Sequence, residues 1–357
     1  MAGKILNVGI LGQGRSGYGI HSQWLRQAKR QYKIVAIADE QPERLEQAKQ
    51  EFGAKVYQDY HKLLREEKLD LVVNALPTPA HPKGTIEALN LGHNVVCEKP
   101  MAIKVADFDK MVATAKKNRK LFAPFQNSRF RPYFIKAQQI IASGVIGKVL
   151  FARINYSGFA RRWDWQTLQK NWGGNLNNTG PHPLDQAVML FGNGVKQPKV
   201  FSKMISGPGT FGDADDLDVV ILHGDGCPTV EVMVSSYQAY PSGDTIQISG
   251  EYGGITAGDA EVKWKYYNPR KAAKQSLNKS WAINRQYPSE KIDWIEKTWK
   301  APETKIGGFN YMSKMFYSNV YDVLNGKGNL VVTPEQVRTQ IYVIEQCHRQ
   351  NRLPKSK

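Results

Sequence analysis

The chain has 357 residues, 41% of them hydrophobic and 23% charged, with a formal net charge of +17. That length allows two domains, each with its own core, and the balance is that of a soluble globular protein. No apolar run approaches the ~20 residues of a membrane helix. Cys97, Cys227 and Cys347 lie too far apart in sequence for a disulfide framework or a metal-spaced pair.

The first ~120 residues alternate strand and helix patterns, which argues for a parallel, doubly wound sheet. The apolar run Asn7-Val8-Gly9-Ile10-Leu11 enters a turn with glycine at Gly12, Gly14 and Gly17. Ile20, Trp24, Leu25 and Ala28 then recur at helical spacing. In a dinucleotide site Gly12 permits the tight turn, Gly14 admits a pyrophosphate to the backbone, and Gly17 lets helix and strand pack closely. The second strand, Ile34 to Ala38, ends in Asp39, 22 positions after Gly17, where an acid meets the adenosine ribose hydroxyls. Asp39-Glu40 sets two negative charges where a ribose 2′-phosphate would sit, so NAD is expected over NADP.

Further strands are expected at Ala54–Tyr57, Leu69–Ala75, Asn94–Cys97 and Leu121–Phe125. Asp59 is placed to cap the helix Tyr60 to Lys68. Pro77-Thr78-Pro79 stops the fourth strand at the sheet edge where ligands bind, and a helix from about His81 to Leu91 ends at Gly92. His81 is placed beside the cofactor cleft, and His21 opens the first helix. His61, His93, His223 and His348 read as surface or packing residues. The domains are expected at residues 1–125 and 126–357.

Beyond a helix at Pro132–Ser143 and a strand at Lys148–Ser157, a long loop carries Trp163 and Trp165. Strands then follow one another at Lys199–Ile205, Asp218–Leu222, Thr229–Ser235, Thr245–Ser249 and Val262–Tyr267. That succession predicts an α+β domain on a large, open, mostly antiparallel sheet. Pro269 to Gly308 reads as an extended polar loop or arm, and Phe309 to Leu324 as a helix. Thr333-Pro334 opens a last helix, to about Arg349, expected to pack back on the first domain.

Lys and Arg are mixed with acids along the chain; the densest stretch, Lys263 to Lys300, holds ten basic and three acidic residues. It has no RNA-binding signature, zinc-finger spacing or helix-turn-helix pattern, so neither nucleic acid nor membrane is an expected partner. The basic charge reads as a solvated surface, or as a field that draws an anionic substrate or the cofactor. The expected location is cytoplasmic.

Two stretches could carry chemistry. Lys99, in Glu98-Lys99-Pro100 at the end of the fifth strand, reads either as a surface lysine before a turn proline or as a group that steadies an alkoxide or carbonyl oxygen. A cis peptide at Pro100 fits the second reading. In the stretch Trp172 to Asp185, His182 and Asp185 are three apart at a helix start and share a face. A histidine beside a carboxylate is a general base poised near neutral pH; the other reading is a helix-capping polar cluster. Asn178 lies four residues before His182 and could orient the ring or a substrate hydroxyl. No third or fourth metal ligand is evident nearby, and no metal is expected. Trp163, Trp165 and Trp172 could stack on a sugar ring or simply pack the loop. Arg129, Arg161 and Arg162 could bind a carboxylate or phosphate, or be plain surface.

Together, Gly12-Gln13-Gly14-Arg15-Ser16-Gly17, Asp39, Pro77-Thr78-Pro79-Ala80-His81, Glu98-Lys99-Pro100, the Gly173 to Asp185 segment and Val332-Thr333-Pro334-Glu335 resemble the glucose–fructose oxidoreductase / inositol dehydrogenase (Gfo/Idh/MocA) family over nearly the whole chain. The resemblance implies a Rossmann domain and a C-terminal domain whose open sheet makes a homodimer or homotetramer. It implies reversible NAD(P)-dependent oxidation of a secondary alcohol on a sugar, cyclitol or derivative. Lys99 and His182 become the catalytic pair: His182 takes the hydroxyl proton as hydride passes to the nicotinamide, and Lys99 steadies the oxygen. Asp185 binds a substrate hydroxyl, with Asn178, Trp163, Trp165 and Arg129 in the substrate set. Glu98 and Asn127 join the Gly12–Gly17 residues, Asp39, Pro77, Thr78, His81 and Lys99 around the cofactor. Many members have Asp where this chain has Asn178; an amide relays no proton, which leaves His182 as the main base. Two other readings share the fold: an NAD-dependent glycosidase working by transient oxidation and elimination, and a non-catalytic NAD-binding regulator.

Overall fold

The computed structural model describes residues 3–208, 210–241, 243–279, 287–301 and 307–354. Six parallel strands, β1 (Leu6–Leu11), β2 (Tyr32–Ala38), β3 (Lys55–Tyr57), β4 (Leu71–Asn74), β5 (Asn94–Cys97) and β6 (Phe122–Pro124), lie in the order β3-β2-β1-β4-β5-β6. Helices cover both faces, so the central strands β1 and β4 are buried almost throughout rather than on alternate residues. Ile10 of β1 faces Ile37 and Val73 on its two neighbours, and all three are fully buried. Asp59 caps its helix by accepting the His61 N–H at 2.8 Å.

The second sheet has eight strands: β7 (Val149–Ser157), β8 (Lys199–Ile205), β9 (Leu217–His223), β10 (Thr229–Ser235), β11 (Ile246–Gly250), β12 (Gly253–Ala257), β13 (Glu261–Tyr266) and β14 (Ile295–Lys300). Their order is β14-β13-β12-β11-β7-β10-β9-β8. Every pairing is antiparallel except β7 with β10. Buried residues alternate along β9 and β10, because one face carries the helix Pro181–Gly192 and the other does not.

Three expectations need correction. β12 was not expected, because its opening Gly253-Gly254 reads as a turn. β14 lies inside the stretch read as a polar arm; it is an exposed edge strand, held in register by Glu261 opposite Lys300 and Lys265 opposite Glu296. Parts of that arm, 280–286 and 302–306, lie outside the described residues. The helix after β1 is irregular rather than a plain α-helix: between α-helical Arg15-Ser16 and Gln23–Leu25, Gly17–Ser22 is wound as a π-helical turn.

The C-terminal helices tie the two sheets together. Pro334–Gln350 starts with a capping box, Thr333 and Gln336 satisfying each other's backbone N–H groups. It reaches the first domain through Arg338, bidentate to Asp109, and through Glu345, which accepts the Val105 N–H at 2.9 Å. The preceding helix, Gly308–Leu324, also packs on the first domain, which its sequence did not announce: Tyr32 donates to the Tyr317 carbonyl at 2.6 Å. Among the described residues, no helix is long and apolar enough to cross a membrane.

Candidate active site

The Gly12–Gly17 turn, Asp39, the Thr78–Ala80 turn, Glu98-Lys99 and Asn127 follow the C-terminal ends of β1, β2, β4, β5 and β6. A parallel sheet therefore delivers them to one edge, the edge at which open α/β folds bind ligands. A hollow lined by Lys4, Asn7, Asp70 and His93 lies at the opposite edge, away from these groups.

The glycine turn fits a dinucleotide. Gly12 has φ +91°, and a Cβ there would meet the Ala75 carbonyl oxygen at 2.5 Å; a Cβ on Gly17 would strike the Gly12 carbonyl. A Cβ on Gly14 would meet nothing within 4 Å, so that side of the turn stands open for a phosphate. Asp39 accepts the Gln13 N–H at 2.7 Å and the Gln41 N–H at 2.9 Å, with Arg44 at 3.4 Å. The Gln13 side chain is buried on Ser22, Arg15 is exposed and Ser16 half-buried. Pro77 is exposed and Thr78 half-buried.

His81 does not present a free ring to the cleft. It is buried, with Nδ1 2.8 Å from the Pro100 carbonyl and Nε2 2.8 Å from the Leu76 carbonyl. It thereby clamps the loop after β4 to the turn after β5, whose Lys99–Pro100 peptide is cis.

Lys99 leaves that turn and donates to the Asn178 carbonyl at 2.7 Å. Burial pulls the ammonium below its ordinary value; Glu98 opposes, and Arg15 and Arg162 add to the fall. Glu98 accepts the Lys99 N–H at 2.9 Å and meets His21 Nε2 at 3.0 Å; His21 Nδ1 lies 2.6 Å from the Tyr317 hydroxyl. Burial alone would raise the Glu98 carboxyl, but the His21 bond, with the His21 and Lys99 charges, holds it down at about 2. His21 does more than open a helix: it carries the second domain's Tyr317 to the base of the lysine turn. No local signal in the sequence marks that triad, whose members are 77 and 296 positions from His21.

His182 opens the helix Pro181–Gly192. Its Nδ1 lies 2.9 Å from the Ser128 hydroxyl, and the ring is half-buried. With the proton on Nδ1, Nε2 keeps a lone pair. Burial, reinforced by the Lys99 and Arg131 charges and opposed by Glu98, holds the imidazole down at about 3. This corrects the expectation of a base poised near neutral pH beside Asp185. Asp185 is fully buried and turned to Arg129, whose Nε and a terminal nitrogen reach its two oxygens at 2.7 and 2.6 Å. Arg129 also donates to the Gln336 side chain at 2.6 Å. Spacing placed His182 and Asp185 on one helix face, but a buried guanidinium fills the space beside the carboxylate. Arg129 and Asp185 thus satisfy each other in a buried pair, which Val331 and Gln336 complete on the arginine side. Trp163 and Trp165 are exposed on their loop, Trp163 meeting Phe211 edge-on. Asn127 is buried, and its Oδ1 has no hydrogen-bond partner among the described residues. Ser128, which spacing did not mark, is the residue that orients His182.

A six-stranded parallel sheet in this order with such a glycine turn defines a dinucleotide-binding oxidoreductase domain. Residues 6–125 match the model of the oxidoreductase family with an NAD-binding Rossmann fold, and residues 134–256 match the GFO/IDH/MocA C-terminal domain. The chain belongs to the GFO/IDH/MocA family of oxidoreductases. It is 28% identical over 257 residues to the myo-inositol 2-dehydrogenase of Thermotoga maritima, covering 71% of this chain and 75% of that protein. It is 30% identical over 189 residues to the 2,7-anhydro-N-acetylneuraminate hydratase of Mediterraneibacter gnavus, covering 52% and 50%. With several curated relatives, that one included, the match spans about half of their length. An NAD-binding protein from Listeria innocua superposes with a TM-score of 0.77 at 24% identity, covering 99% of this chain and 97% of that one, a likeness of fold.

Proposed function

We propose that the chain oxidises, reversibly and with NAD, a secondary alcohol of a sugar, cyclitol or sugar derivative. The observation that carries this reading is the 2.7 Å bond from Lys99 to the Asn178 carbonyl, which seats an ammonium on the turn leading to His182. The nicotinamide, when bound, supplies the hydride acceptor. His182 Nε2 accepts the hydroxyl proton, while Ser128 fixes the ring. Lys99 donates a hydrogen bond to the same oxygen as negative charge develops on it. Burial and the neighbouring cations keep His182 neutral, and so able to accept. Glu98, held by His21, fixes the backbone from which Lys99 projects.

NAD is proposed over NADP because Asp39 and Glu40 would repel a 2′-phosphate. The test is NADH or NADPH formation with a panel of sugars, sugar acids and inositols. Turnover of a cyclic polyol with NAD supports the reading; tight NAD binding with no turnover of any member sinks it in favour of a regulator. A second reading is elimination or hydration through transient oxidation, favoured by the relative named a hydratase. It predicts product without net NADH.

A further inference from the structure

Arg131 sits between the Asn127–Phe130 turn, which carries Ser128, and the helix Pro132–Ala142. Its guanidinium lies 5.8 Å from the ring centres of both Tyr133 and Tyr156. The two tyrosine hydroxyls bond each other at 2.6 Å. One terminal nitrogen donates to Asp259 at 2.8 Å, and that carboxylate is itself 73% exposed at the rim. The Nε–H is buried and has no partner among the described residues. Leaving such a donor bare costs about 1–3 kcal/mol, which a small shift of the side chain onto an acceptor in the cleft would recover.

The charge balance points the same way. Around the Lys99–His182 cleft, Glu98 is committed to His21 and to a backbone N–H, and Arg162 is committed to Asp164 and Gln166. Lys99 and Arg131 both press positive charge on His182. A guanidinium with spare donors suits a carboxylate or phosphate, whose oxygens accept two parallel N–H bonds.

We propose that the substrate carries an anionic group, a carboxylate or a phosphate on the sugar, and that Arg131 binds it at the side of the cleft next to His182. This rests on the oxidoreductase reading above and narrows its substrate class. A bound anion also offsets the cations that weaken His182, so the base strengthens when the right substrate is present.

The experiment uses the full chain with NAD and matched sets of sugars: a neutral hexose or cyclitol, its acid, and its phosphate ester. Turnover is followed by NADH formation, and binding by calorimetry on the NADH-loaded protein. One of the two anionic arms is expected to exceed the neutral arm by about 10–100-fold in kcat/KM, the equivalent of one charge-assisted contact; which arm wins identifies the group. Arg131→Gln should remove most of that advantage through KM, and Arg131→Lys should keep part of it. Asp259→Asn breaks the same ion pair but keeps the guanidinium, so it should preserve the anion preference. A neutral arm as good as both anionic arms overturns the proposal. So does an Arg131→Gln protein that binds NADH normally and keeps the preference, or an Asp259→Asn protein that loses it as Arg131→Gln does. An acid or phosphate that binds in an Arg131-dependent way without being oxidised supports the site and overturns the oxidoreductase reading instead. Absence of binding in every anionic arm overturns the site alone.

Discussion

The Lys99 ammonium donates to the Asn178 carbonyl at 2.7 Å, across 79 positions of sequence and between the two sheets. That bond uses the backbone of Asn178, so the amide side chain, where the family resemblance led us to expect a carboxylate, is not what holds the lysine. Asn178→Asp should therefore leave turnover within about threefold of wild type, since it leaves that carbonyl in place; a loss beyond about thirtyfold, read from steady-state kcat, would show that side-chain chemistry at this position matters.

Asp185 and Arg129 form a buried, bidentate pair. Asp185→Ala strands the guanidinium and should cost roughly 3–5 kcal/mol of stability. Replacing both partners with leucine should cost much less. Urea unfolding of the single and double variants decides it, and a stable Asp185→Ala protein with only a raised KM would restore the residue to the substrate.

His182 titrates near 3 when folded and near 6.5 when unfolded. Between these values the unfolded chain binds the extra proton, so the native state loses stability as pH falls through that window and keeps it in full above about 6.5. For a half-buried ring the loss at pH 5 should be about 1 kcal/mol. His182→Gln should flatten that slope in denaturant titrations at pH 7 and 5. An identical slope would mean the folded imidazole is not depressed.

Ser128 hydrogen-bonds His182 at 2.9 Å and so acts on the reaction through that ring. Ser128→Ala should lower kcat about tenfold, the value of one hydrogen bond, with KM little changed. Ser128→Thr, which keeps the hydroxyl, should recover most of the rate; equal loss in both variants would point to packing.

The parts of this site that lie close together in sequence were legible there. Gly12, Gly17 and Asp39 are fixed by one βαβ unit, and Lys99 by the strand that ends beside it. Thr333-Pro334 announces the start of the last helix through local spacing. What could not be read are pairings between remote segments. His21 with Glu98 and Tyr317, Ser128 with His182, and Arg129 with Asp185 are made only when segments remote in the chain pack together, the Tyr317 bond alone joining the two domains. β14 was hidden because an exposed edge strand has no buried face to impose an apolar alternation. Arg131 was not singled out at all, since neither its tyrosine neighbours nor its bare Nε has a signature along the chain.

The central claim is that Lys99 and His182 act together on one substrate oxygen. A double-mutant cycle in kcat/KM, with Lys99→Met, His182→Ala and both, tests it most directly. Each single change should cost about a thousandfold or more while NADH still binds, and the double variant should be little slower than the worse single one. Losses that simply multiply, or a single variant near the wild-type rate, would contradict it.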